Sequence, residues 1–201
     1  MKNVLLRVDS SKEIGGGHLF RCLNIANELE LIGCKCFFIC RDFPDNLNYL
    51  IINNGYKLIL LKEKYKNLDL EIDHIRKLLD GLEKFKWLII DSYEIGIEWE
   101  KKMRLFSEKI LVIDDLANRK HSCDLILDQN YHIKLEKRYA KLVPKNCIKL
   151  VGTKYALLDK KLKIYKKDYP KNFGQLKNIF ICFGATDPNC HSIEVIKALS
   201  L

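Results

Sequence analysis

Along the first 130 residues, short apolar runs alternate with longer stretches in which apolar residues recur every three or four positions. The runs are NVLLRVD ending at Asp9, then 36–40, YKLILL (56–61), WLIID (87–91), KILVIDD (109–115) and LILDQN (125–130). Continuous apolar character over about five residues marks a strand covered on both faces. Between the runs, 18–31 places Leu19, Cys22, Leu23, Ala26 and Leu29 on one helical face. Segments 46–53, 68–85 and 96–107 also read as helices, and Gly33 and Gly55 punctuate the first two. The pattern predicts an α/β fold with a parallel, Rossmann-like sheet.

The pattern then changes. Residues 132–177 are mostly polar and irregular, with GTKYALL at 152–158 and a lysine-rich stretch containing Pro170 and Gly174. NIFICFG (178–184) predicts a fresh strand, and 190–201 a helix. The expected organisation is a lobe over 1–150, a linker over 151–177, and the first strand and helix of a second lobe over 178–201. No internal repeat or low-complexity tract is visible.

Composition narrows the partners. Hydrophobic residues make up 48% and charged residues 30%, enough for a sizeable core. The net charge of +9 favours an anionic partner. The lysines are scattered and no aromatic residues interleave with them as a stacking platform, so nucleic acid is not expected. The eight cysteines lie mostly inside apolar runs such as CKCFFIC, where they act as small buried hydrophobes. The spacing of Cys34, Cys36 and Cys40 along a strand does not suit zinc. Arg7 and Asp9 cut off the first apolar run, which excludes it as a secretion signal. No run approaches the roughly 20 apolar residues of a membrane span. A cytoplasmic protein with no membrane partner is expected.

Ligands of open parallel sheets bind beyond the carboxyl ends of the strands. Here those ends carry Asp9-Ser10-Ser11, Asp91-Ser92-Tyr93, Asp114-Asp115 and Asp128-Gln129-Asn130. The loop after the first strand is Gly15-Gly16-Gly17-His18. Consecutive glycines let backbone approach a ligand, and free amides at the start of the next helix suit a phosphate or diphosphate. The Lys-Ser/Thr of a P-loop is missing, and so is the third glycine of a dinucleotide fingerprint. At the positive end of the helix dipole the imidazole of His18 is expected to be neutral and to serve as a base. Arg21, one turn on, suits a phosphate or a carboxylate. Asp9, Asp91 and Asp115 are each able to orient the imidazole or to bind polar groups of a ligand. His74, His121, His132 and His191 form no metal-ligand pattern, and no G-x-S-x-G elbow is present. Neither metal nor cofactor is expected.

RVDSSKEIGGGHLFRC resembles the N-terminal signature of the UDP-2,4-diacetamido-2,4,6-trideoxy-β-L-altropyranose hydrolases of pseudaminic acid biosynthesis. Later motifs follow in the same order: IIDSY (89–93), IDD (113–115), LDQN (127–130), GTKYALL (152–158) and FICFGATDP (180–188). The resemblance implies a two-lobed fold like that of the GT-B glycosyltransferases. It implies removal of UDP from an amino-sugar nucleotide by water at the anomeric carbon, with inversion and without metal. His18 would be the base and Tyr93 an active-site position. Asp9, Gly16, Gly17, Arg21, Asp91, Asp115, Asn130, Tyr155, Gly184, Thr186 and Asp187 would face the UDP-sugar. Asp159, Ala185 and Cys190 depart from the family pattern. The resemblance also implies that the nucleotide is held mostly by the second lobe, in this chain or in a separately encoded partner. The alternatives are a glycosyltransferase that passes the sugar to an acceptor, and a fragment inactive without its other lobe.

Overall fold

The computed structural model describes residues 2–133, 137–164, 175–184, 187 and 189–200. Seven strands form one sheet: β1 (Lys2–Val8), β2 (Cys34–Arg41), β3 (Lys57–Leu61), β4 (Phe85–Asp91), β5 (Ser107–Ile113), β6 (Leu125–Asp128) and β7 (Ile148–Val151). Their order is β3-β2-β1-β4-β5-β6-β7, and every pairing is parallel. The helices are α1 (Gly17–Leu31), α2 (Tyr49–Asn53), α3 (Leu68–Leu78), α4 (Ile97–Met103), α5 (Lys161–Ile164) and α6 (His191–Leu199).

Alternation along each strand sends side chains to opposite faces of the sheet. Val4, Leu6, Val8, Phe38 and Ile89 pack with Leu19, Cys22, Leu23 and Ala26 of α1. Leu5, Phe37, Ile39, Leu88 and Ile90 pack with Ile72 and Ile75 of α3 and Trp99 and Met103 of α4. Each of the valine, leucine, isoleucine, phenylalanine and methionine side chains contributes about 1.5–3 kcal/mol when fully buried. Both faces are therefore covered, which accounts for the unbroken apolar runs.

Three expectations change. β7 lies inside the stretch expected to be irregular; it pairs only with β6, and its half-exposed edge position removes the apolar signal. The predicted strand at 178–184 does not form: among the described residues no strand edge pairs with it, and Phe180 stays 91% exposed. Helices predicted over 68–85 and 96–107 stop at Leu78 and Met103. Asp80-Gly81 turns the chain, with Gly81 at φ 74°, and Ser107 already belongs to β5.

Cys22, Cys34, Cys36, Cys40, Cys123 and Cys147 are buried free thiols, while Cys182 and Cys190 are exposed. Burial pushes the Cys36 thiol up to about 12. Among the described residues no helix is long and apolar enough to cross a membrane.

Candidate active site

Parallel strands deliver their carboxyl ends to one edge. β1 ends at Val8, which pairs with Asp91 at the end of β4, so Asp9 and Asp91 leave the sheet side by side. The chain returns from β1 to α1 through a tight loop. Gly15 N donates to Ser11 O at 2.8 Å and Ile14 N to Ser11 Oγ at 3.1 Å. Gly15 has φ 78°, which glycine adopts without strain. A Cβ on Gly17 would meet no atom within 4 Å, so the space over the start of α1 is open.

This loop sets His18 in the first turn of α1, above the end of β4. Residues three and four apart share a helical face, and His18, Arg21 and Cys22 all converge on Asp91. His18 Nδ1 lies 2.6 Å from Asp91 Oδ1. Arg21 grips the same carboxylate with two donors, Nε to Oδ2 and Nη2 to Oδ1, the latter at 2.5 Å. Cys22 Sγ lies 3.8 Å from Oδ2. Asp91 is fully buried, so this fork supplies the counter-charge that a buried carboxylate requires. Burial opposes the Arg21 charge, but the bonds and charge of Asp91 outweigh it and hold the guanidinium pKa above its ordinary value. Burial and the Asp91 charge also push the Cys22 thiol well up.

Arg21 Nη2 lies 3.0 Å from His18 Nδ1 but 2.5 Å from Asp91 Oδ1, and Nδ1 lies 2.6 Å from that same carboxylate oxygen, so the shorter contacts to Asp91 place the proton on Nδ1. In the neutral ring the lone pair then sits on Nε2. Among the described residues Nε2 has no partner, and it is not sealed from solvent. It opens on a cavity of about 280 Å³ lined by Asp9, Glu13, Ile14, His18, Asp91 and Tyr93, among others. Tyr93 stands edge-on to the imidazole, with ring centroids 4.6 Å apart, and its hydroxyl donates to Asp115 Oδ2 at 3.2 Å. Arg21 Nη1 reaches the same Asp115 oxygen at 3.6 Å. Asp9 is held through Oδ1 by Arg7 Nη1 at 2.6 Å and by the Arg41 amide at 2.7 Å. Its Oδ2 has no donor among the described residues.

The structure thus gathers Asp9, Gly16, Gly17, His18, Arg21, Asp91, Tyr93 and Asp115. Of the three aspartates the sequence leaves open, Asp91 is the one bonded to the imidazole. The other candidates lie elsewhere. Asn130 is exposed, its amide donating to Asp128 Oδ1. Tyr155 ends a single 3-10 turn, with Lys154 Nζ 4.7 Å from its ring centre. That segment docks through Leu157 on Asn24 and Gln129. Asp187 caps α6, accepting from the amides of His191 and Ser192 and the Ser192 hydroxyl, and these bonds lower its pKa. Gly184 has φ 92°. Thr186 lies outside the described residues. No hydrogen bond or ion pair among the described residues joins Asn130, Tyr155, Gly184 or Asp187 to the His18 cluster.

Asp114 and Asp128 are buried supports. Tyr139 OH bridges them at 3.1 and 3.0 Å, Arg119 pairs with Asp114, and Arg138 pairs with Asp128. Among the described residues no group of three or more His, Cys, Asp or Glu is arranged to hold a metal. Sequence reasoning missed Arg7, Arg41 and Glu71. The signal was present: a cation inside a strand covered on both faces needs a buried partner.

The chain is 32% identical over 202 residues, 98% of its length, to the UDP-2,4-diacetamido-2,4,6-trideoxy-beta-L-altropyranose hydrolase of Campylobacter jejuni. It spans 65% of that protein, just under two thirds of its length. It is 25% identical over 201 residues to an uncharacterized protein of Methanocaldococcus jannaschii, of which it spans 39%. No family model matches the chain. Among solved structures it is similar to MurG of Acinetobacter baumannii, with TM-score 0.42 and 17% identity over 58% of this chain and 35% of that one.

Proposed function

We propose that the chain carries the water-activating, sugar-binding part of a hydrolase that releases UDP from a UDP-linked 2,4-diacetamido-2,4,6-trideoxy hexose. The observation that carries this reading is the open Nε2 of His18, on a ring whose other nitrogen is bonded to a buried carboxylate beside a cavity. The similarity to the Campylobacter jejuni hydrolase supports the substrate class.

In the proposed reaction, the oxygen of a water in the cavity attacks the anomeric carbon as the bond from that carbon to the diphosphate oxygen breaks. Nε2 takes the water proton, and the imidazolium so formed keeps its Nδ1–H on Asp91. The bonding electrons leave with UDP, and the proton passes to solvent afterwards. Attack from the face opposite the diphosphate inverts the configuration. A positioned base contributes about 10²–10⁴-fold. UDP is a good leaving group, so acid assistance matters less than donors for its growing charge. The first-turn amides of α1 have no helical acceptors and suit that charge. Asp9 Oδ2 suits a sugar hydroxyl. Neither a metal nor a cofactor has a step in this mechanism. On this reading residues 1–150 form the sugar lobe, 151–177 a linker and 178–201 the start of a nucleotide-binding lobe. The rest of that lobe belongs to the same or a separate polypeptide in the cytoplasm.

The test is UDP release from the UDP-linked diacetamido sugar with no acceptor present, by the chain and by His18→Ala. We expect release by the chain and a fall of at least ~10²-fold in the variant. Equal release from both removes His18 as the base. Release that depends on an added acceptor makes the enzyme a transferase.

A further inference from the structure

A second cavity of about 530 Å³ adjoins the first, since Ser92 and Glu94 line both. Its walls include Arg7, Arg41, Tyr65, Ile95, Ile97 and Trp99. Arg7 is 1% exposed, yet among the described residues only its Nη1 is bonded, to Asp9. Its Nε is buried with no acceptor among the described residues. Its Nη2 also has no acceptor among the described residues, and it is not sealed from solvent. The free edge of Arg7 is therefore the edge with which Arg21 holds Asp91. The sealed Nε carries the desolvation penalty of an unmet buried donor, and Nη2 is the donor on that edge that a ligand can reach.

Charge decides what the missing acceptor is. Arg41 already pairs with Glu71 at 2.8 Å and Glu94 at 3.3 Å, Arg119 with Asp114 at 2.9 Å, and Arg7 with Asp9 at 2.6 Å. These arginines have their counter-charges, and a further anion would face the same carboxylates. What is lacking is a neutral oxygen acceptor. Beside it stands an apolar wall of Ile95, Ile97 and Trp99. A carbonyl that carries a methyl group meets both demands.

We propose that this cavity is the subsite for an N-acetyl substituent of the sugar, its carbonyl oxygen on the open Nη2 of Arg7 and its methyl against Ile95, Ile97 and Trp99. The assignment rests on the amino-sugar reading above and names the part of the chain that selects acylated over free amino sugars. The reacting carbon lies in the first cavity, against His18, and the acetamido arm passes Ser92 and Glu94 into the second.

The test reads binding apart from catalysis. Saturation-transfer NMR follows the acetyl methyl signals of free 2,4-diacetamido-2,4,6-trideoxy hexose with the chain, with His18→Ala and with Ile97→Trp. Arg7→Met would strand buried Asp9, so the decisive variant is Ile97→Trp, which fills the cavity from a half-buried position and breaks no ion pair. We expect the methyl signals to saturate with the chain and with His18→Ala. With Ile97→Trp the affinity should fall at least about tenfold, the cost of one lost apolar-pocket contact of ordinary size. The de-N-acetylated sugar should bind weakly to all three. No saturation with the chain, equal saturation with Ile97→Trp, or equal binding of both sugars overturns the subsite. If UDP is not released but the methyl signals behave as expected, the subsite stands and the hydrolase reading falls. If UDP is released and Ile97→Trp changes nothing, the reverse holds.

Discussion

Two histidine–carboxylate pairs of the same length stand on this sheet. His18 Nδ1 lies 2.6 Å from Asp91, and His121 Nδ1 lies 2.6 Å from Glu100. Their surroundings differ. Both side chains of the second pair are fully buried. Glu100 also accepts from the Ser122 amide, and the His121 amide donates to Leu142 O. That pair staples the segment after β5 onto α4, and its free nitrogen ends against protein, 4.0 Å from Asp114 Oδ2. The first pair carries an Arg21 fork behind the carboxylate and a cavity in front of the ring. A short pair by itself therefore says nothing about chemistry. What separates the two is whether a small molecule can reach the second nitrogen.

The largest effect expected from this comparison is a double dissociation. His18→Ala should lose ~10²–10⁴-fold in UDP release while its urea unfolding midpoint stays close to that of the parent. His121→Ala strands buried Glu100 and should lose about 3–5 kcal/mol of unfolding free energy, with release per folded molecule nearly unchanged. Loss of activity in both variants, at matched folded fraction, would break the distinction.

The carboxylates sharpen it at smaller scale. Asp91→Asn turns an NH₂ group toward the donors of Arg21 and His18 or rotates the imidazole away. Release should fall roughly 10²–10⁴-fold through the wrong tautomer, and stability should fall as well. Glu100→Gln meets the same conflict at His121 and Ser122. It should cost about 1–3 kcal/mol in urea unfolding, with no change in rate per folded molecule.

Much of this was legible in the sequence. Six strands were visible because both faces of the sheet are covered and the apolar runs are unbroken. β7 was not, because an edge strand needs little apolar surface, and 178–184 misled for the complementary reason: apolar character does not supply a pairing partner. The glycine loop and His18 were legible from local chemistry. The choice of Asp91 over Asp9 and Asp115 was not, because it depends on the register that sets Val8 against Asp91 and on where α1 begins. Arg7 was hidden by its position. It reads as an interruption of an apolar run until the strand is seen to be buried, with the cavity beside it.

The smallest effect concerns Tyr93, whose ring touches the His18 imidazole edge-on. Burial, then the bond to Asp115, pushes its phenol from 10.0 up to about 12. The folded-state value lies above the unfolded one, so the contribution to stability is fully present below pH 10.0 and is lost as pH rises toward about 12. Tyr93→Phe should remove that part of the alkaline fall in the urea midpoint. A slope should remain from Tyr56 and Tyr139, which burial also pushes up. The effect on UDP release should be modest, less than about tenfold, because the phenol stays protonated across the working range and holds Asp115 rather than moving a proton. The alkaline limb of the rate–pH profile should stay where it is in Tyr93→Phe. A shift of that limb would make the phenol a partner in proton transfer, and His18 would then differ from His121 by a second acid as well as by an open face.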